Sequence, residues 1–109
     1  MRFAIVGSRS LWVKNIEDYL FECDEIISGG AKGIDMCAAE YARVNAVNLT
    51  VILPNYKRYG KAAPIIRNKE IVELCDIVIA FWDGCSKGTL SVIKYAQKIR
   101  KPYKLIFLK

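Results

Sequence analysis

Five apolar, β-prone runs recur along this chain, at Phe3–Gly7, Glu25–Ser28, Leu49–Leu53, Ile77–Trp82 and Leu105–Leu108. Strand runs without polar alternation are buried on both faces, the habit of a parallel sheet held between helices. The stretches between them, Leu11–Glu22, Ile34–Val47, Pro64–Leu74 and Thr89–Lys101, show helical apolar spacing. Pro64 suits a first helical turn and Pro102 a stop. The β-α-β-α-β-α-β-α-β order predicts an α/β fold, a Rossmann-like three-layer sandwich around a five-stranded parallel sheet. Right-handed crossovers and two oppositely wound halves set the strand order at 3-2-1-4-5, with a topological switch between the first and fourth strands.

The 109 residues, 53% of them hydrophobic, are expected to form one domain with a single core. The longest apolar run, Ile77–Trp82, falls far short of the roughly 20 residues that cross a bilayer, and Met1–Gly7 reads as a strand rather than a secretory signal. A cytoplasmic protein without a membrane partner is expected. The four cysteines, at 23, 37, 75 and 85, show no CxxC spacing, and the chain has no histidine, so no metal site is expected. Cys37 and Cys75 lie on apolar faces and read as small hydrophobes. Cys85 sits beside a glycine turn, without a histidine to serve as its base.

Charge is unevenly placed. Residues 1–45 carry five basic and seven acidic side chains, residues 46–109 twelve and four. Within the basic part, Lys57, Arg58, Lys61, Arg67 and Lys69 are interleaved with Tyr56 and Tyr59. That composition suits phosphate or single-strand contacts, and equally a solvated basic surface.

The expected carboxyl ends of strands one, two and four run into Gly7-Ser8-Arg9, Ser28-Gly29-Gly30 and Trp82-Asp83-Gly84. In this strand order those turns meet at the switch point, where open α/β sheets bind ligands. Ser28-Gly29-Gly30-Ala31-Lys32-Gly33-Ile34-Asp35 and Gly84-Cys85-Ser86-Lys87-Gly88-Thr89 each open a helix, whose first N–H groups favour negative charge. Neither a GxGxxG turn nor a GxxxxGK[ST] loop is present, so neither a dinucleotide cofactor nor Walker-type ATP hydrolysis is expected. The acidic residues of a receiver domain are missing as well, since Ser8-Arg9 and Pro54-Asn55 stand in their places.

Taken in order, Gly7-Ser8-Arg9, Ser28-Gly29-Gly30-Ala31-Lys32-Gly33-Ile34-Asp35, Gly60-Lys61-Ala62-Ala63 leading to Arg67-Asn68, and Ser86-Lys87-Gly88-Thr89 resemble the SLOG superfamily. That superfamily joins the DprA/Smf proteins and the LOG phosphoribohydrolases, and the chain looks most like its YspA/YpsA-like branch. The resemblance spans nearly the whole chain. It implies a domain that binds a nucleotide or nucleotide-derived ligand, as a sensor or accessory unit. It also leaves open a nucleotide-processing enzyme that cleaves an N-glycosidic bond, and DprA-like binding of single-stranded nucleic acid. The LOG enzymes carry a glutamate pair just after the GT of the last motif, whereas this chain has Gly88-Thr89-Leu90-Ser91-Val92. With no histidine as a substitute, Asp35 and Asp83 are the only nearby carboxylates for such chemistry.

Individual residues carry two readings each. Ser86, Gly88 and Thr89 hold a phosphate, or Ser86 or Thr89 only caps its helix. Arg9 closes over the same anion with a forked contact, or is an ordinary surface arginine. Asp35 holds a ribose, or only complements the helix dipole. Arg67 and Asn68 reach phosphate or base, or are exposed helix residues. Trp82 stacks on a base, or is core. Glycines 29, 30, 33 and 88 line the ligand, or only form tight turns. Trp12, Tyr19, Tyr41 and Tyr95 are assigned to helix faces for packing or self-association, and a homo-oligomer is expected from the apolar face they would expose.

Overall fold

The computed structural model describes residues 1–108. Its order is β1 (Arg2–Gly7), a 3-10 turn (Ile16–Tyr19), β2 (Glu25–Ser28), α1 (Ile34–Val44), β3 (Asn48–Val51) and the short α2 (Tyr56–Tyr59). A second 3-10 turn (Gly60–Ala62), α3 (Ala63–Leu74), β4 (Ile77–Trp82), α4 (Lys87–Lys98) and β5 (Tyr103–Phe107) complete it. All strand pairs are parallel and the sheet runs β3-β2-β1-β4-β5, the order expected from the sequence. No helix among the described residues is long and apolar enough to cross a membrane.

Alternation along the strands divides the core into two faces of different character. Phe3, Ile5, Ile26, Ile79 and Phe81 meet Ile34, Cys37, Ala38 and Ala42 of α1 on one side. Ala4, Val6, Ile27, Val78 and Ala80 meet α3 and α4 on the other, through Ile71, Val72, Cys75, Val92, Ile93 and Ala96. The small strand residues make room for two helices on that face. On the first face one helix leaves space that the large side chains fill, with Tyr19 standing edge-on to Phe81 at 5.2 Å between ring centroids.

Three sequence expectations give way here. Residues 11–22 form no continuous helix. Only Leu11 and Ile16 are buried there, five positions apart rather than three or four, and Trp12, Val13, Tyr19 and Phe21 are poor helix formers. Asn15 turns the chain instead, its Nδ2 donating to Asp18 Oδ2 at 2.6 Å. Trp12 and Tyr19 therefore do not share a helix face. The helices expected to reach Val47 and Lys101 stop at Val44 and Lys98, where Ala46 and Arg100 take positive φ values of 55° and 58°.

Candidate functional site

The ends of β1 and β2, the first turns of α1 and α4 and the middle of α3 enclose a cleft of about 150 Å³ at the carboxyl edge of the sheet. Gly7, Arg9, Gly29, Asp35, Arg67, Asn68, Ser86, Gly88 and Thr89 line it, over an apolar floor that includes Val6, Ile71 and Val92. Nine of the residues singled out in the sequence thus meet in one place. The floor residues and Pro64 were missed, because their spacing marks only core. Larger grooves lie elsewhere, one of about 510 Å³ beside Trp12 and Tyr41 and one of about 460 Å³ along α4. A third, of about 250 Å³ between Leu53, Arg58 and Glu70, shares Arg67 with the small cleft, but only the small cleft brings Arg67 together with the buried Asp35.

The first of these groups is Asp35, 7% exposed in the first turn of α1. Its Oδ2 accepts the Ala31 N–H at 3.0 Å. Burial pushes the carboxyl above the usual carboxylate range, against the pull of that hydrogen bond and of the Arg67 and Arg9 charges. The second is Arg67, half-buried on α3. Its Nη1 donates to Gly29 O at 2.7 Å and to Ile52 O at 3.4 Å, and its Nε to Asn68 Oδ1 at 2.9 Å. The guanidinium thereby ties down carbonyls at the ends of β2 and β3 while Nη2 stays free of protein acceptors among the described residues. Burial lowers its pKa and the Asp35 charge opposes the shift, yet an arginine stays charged. Gly29 separates the two groups: a Cβ placed on it would stand 2.7 Å from Arg67 Nη1 and 3.2 Å from Asp35 Oδ2.

The raised Asp35 carboxyl has a sign that can be measured. Between the ordinary carboxylate pKa and its higher folded value, the native state holds more protons than the unfolded chain. Its contribution to stability is therefore complete at low pH and is lost as the pH climbs through that interval. Asp35→Asn keeps an acceptor for Ala31 N–H without the charge. Its thermal midpoint should exceed the parent's at pH 7 and approach it near pH 3. A variant that is instead less stable than the parent at pH 7 would show that attraction to Arg67 outweighs burial.

The α4 turn is partly satisfied from within. Asp83 Oδ1 accepts the N–H groups of Cys85 and Ser86 at 2.8 and 2.9 Å, and Ser86 Oγ accepts Thr89 N–H at 3.4 Å and Thr89 Oγ1 at 3.2 Å. Ser86 is thus the helix cap. Among the described residues, the Lys87 and Gly88 N–H groups have no acceptor and remain as first-turn donors, joined by the hydroxyl proton of Ser86. The loop amides hold the Asp83 carboxyl below the usual carboxylate range. Asp83 is outside the cleft lining, and its oxygens brace the loop, with Ser10 Oγ 3.3 Å from Oδ2.

The other singled-out residues are placed around the cleft rather than in it. Trp82 Nε1 donates to Ser86 O at 3.0 Å, fastening the loop to the end of β4, so the indole does not reach a ligand in the cleft. Ser8 Oγ accepts Asp83 N–H at 3.2 Å, and Ser28 Oγ accepts Gly30 N–H at 3.2 Å. Gly33 packs against the Arg9 carbonyl, where a Cβ would lie 2.5 Å from the oxygen. These buried serines and the glycine hold the three turns together. Lys57, Arg58 and Lys61 stand exposed on α2 and the turn after it, with the Arg58 guanidinium 5.2 Å above the Tyr59 ring.

Fold and cleft together define a Rossmann-like α/β domain with a charged crevice at its topological switch point. Comparison with protein-family models, with curated proteins and with solved structures found no match.

Proposed function

We propose that the cleft binds one end of a nucleotide or nucleotide-derived ligand, in the manner of a sensor or accessory domain. What supports this is one arrangement: a half-buried arginine and a buried carboxyl face each other across Gly29, beside a helix N-terminus that keeps two N–H groups free. In this reading phosphate oxygens take Arg67 Nη2, the Lys87 and Gly88 N–H groups and the Ser86 hydroxyl, while Asp35 accepts from a sugar hydroxyl. A pocket enclosing a whole small ligand measures about 300–1,000 Å³. At about 150 Å³ the cleft matches a phosphate-sugar portion, with the base projecting past Arg9 to solvent.

A substitution at Gly88 tests this. No atom lies within 4 Å of a Cβ built there, although Gly88 lines the cleft. Gly88→Leu should leave the thermal midpoint of the free protein nearly unchanged and lower ligand affinity by about 100-fold or more through steric blockage. The probe is a panel of mononucleotides, cyclic nucleotides and ADP-ribose derivatives, read first as a rise in midpoint by mass action and then by calorimetry. A ligand bound equally by parent and variant would place the site elsewhere.

A hydrolase or transferase reading is favoured by one further feature, the raised carboxyl of Asp35. Burial raises this carboxyl, the direction that general-acid departure of a base requires. Product formation from the same panel, abolished by Asp35→Asn with ligand binding retained, distinguishes it. Single-strand binding through Lys57, Arg58 and Lys61 has only their exposure in its favour. It requires a salt-dependent affinity that weakens when the three are changed to alanine.

A further inference from the structure

The two edges of the sheet differ in a way that bears on self-association. β5 carries Lys104 within the strand and follows Arg100 and Lys101, the charged pattern that keeps an open edge from pairing. β3 has no such protection. From Val44 to Tyr56 the chain runs thirteen residues without one charged side chain, and Leu49, Val51 and Leu53 are 38%, 44% and 66% exposed.

The backbone direction of this edge follows from the register. Ser28 sits opposite Val51, and Ile52 N–H donates inward to Ser28 O at 2.8 Å. By the two-residue repeat of a strand, Asn48, Thr50 and Ile52 turn their peptide groups toward β2. Leu49, Val51 and Leu53 turn theirs to the open edge, with side chains on one face. Pro54, which lacks an N–H, ends the run.

We propose that this edge pairs with the same edge of a second copy, antiparallel about a two-fold axis at Val51. In that register Val51 faces Val51 of the second copy, and Leu49 faces Leu53. All of these residues direct N–H and C=O groups outward, so each facing pair forms the doubly hydrogen-bonded type of antiparallel pair. The cross-strand neighbours are aliphatic on one face. On the other, Thr50 meets Ile52. No charge meets a like charge along the strand, although the chain as a whole carries +6. The same operation on β5 sets Lys104 against Ile106 and brings the two copies' Lys104 side chains onto one face near the axis, so the uncharged, self-complementary edge is β3. The two five-stranded sheets would then form one continuous sheet of ten.

Sedimentation equilibrium of the full chain over micromolar to hundred-micromolar concentrations, with amide hydrogen exchange on the same samples, tests the pairing. The expected result is a dimer in which the Leu49 and Val51 amides slow as concentration rises. Val51→Lys sets two ammonium groups face to face at the axis and should weaken association by about tenfold or more. Leu105→Lys on the opposite edge should leave it unchanged. Val51→Lys is checked for folding by an unaltered far-UV spectrum and thermal transition. Leu49→Pro, which removes one outward N–H and leaves the inward bonds to β2 intact, serves as a second probe and should also weaken association. A chain that stays monomeric, or a dimer in which the Leu49 and Val51 amides exchange freely, would overturn the proposal.

Discussion

Gly33→Ala should cost the protein about 3–5 kcal/mol, measured as a lower urea midpoint at unchanged slope. Gly33 precedes α1 at φ 72° and ψ −121°, a conformation that residues with a Cβ rarely adopt and that costs about 1–3 kcal/mol to enforce. The added carbon would also lie 2.5 Å from the Arg9 carbonyl oxygen and 2.8 Å from that of Ser8. Both obstacles are backbone, so relief requires moving the β1 turn away from α1, an overpacking penalty of about 1–3 kcal/mol more. Set against a total stability of about 5–15 kcal/mol for a domain, this is enough to populate the unfolded chain at physiological temperature. A loss below about 1 kcal/mol would mean that the Ser8–Arg9 turn is free to yield and that Gly33 does not hold it against α1.

Arg67→Ala should be the most damaging change within the cleft that does not disturb backbone geometry. It removes a charged donor from Gly29 O and Ile52 O and frees Asn68 Oδ1, at a cost of about 2–3 kcal/mol. Ligand affinity should fall by about 100-fold, since the anion loses its one half-buried cation. Arg67→Lys separates charge from shape. A lysine carries the charge as a point at the end of a flexible stem and cannot span Gly29 O while presenting a second nitrogen to the cleft. Calorimetry should therefore find the lysine variant at least about tenfold weaker than the parent. Equal affinity would show that the fork is not used and that only positive charge matters there.

The strand order, the parallel pairing and the meeting of the glycine turns were legible from the apolar runs, because burial on both faces leaves a simple composition signal and right-handed crossovers leave few topologies. Residues 11–22 were misread for the opposite reason. Their apolar count suits a helix, but only Leu11 and Ile16 are fully buried, Val13, Tyr19 and Leu20 pack only in part against the core, and Asn15 offers the backbone a competing turn. Within the cleft, Arg67 was ambiguous because nothing local distinguishes a helix arginine that points into a crevice from one in water. Asp83 and Trp82 were ambiguous for a similar reason. Trp82 ends β4 and Asp83 follows it at the rim, and only the partners of their polar atoms, the Ser86 carbonyl for the first and the Cys85 and Ser86 amides for the second, turn them into braces of the loop.

Sequence by itself determined the layers, the direction of every strand and the three turns that crowd one edge, since periodicity and glycine placement are local properties that act before any long-range contact exists. The tertiary structure alone decided which charges leave water. Asp35 becomes a carboxyl with a raised pKa, and Arg67 a clamp on two strand ends, only because α1 and α3, on opposite faces of the sheet, each bring one side chain to Gly29, and desolvation depends on neighbours remote in the chain.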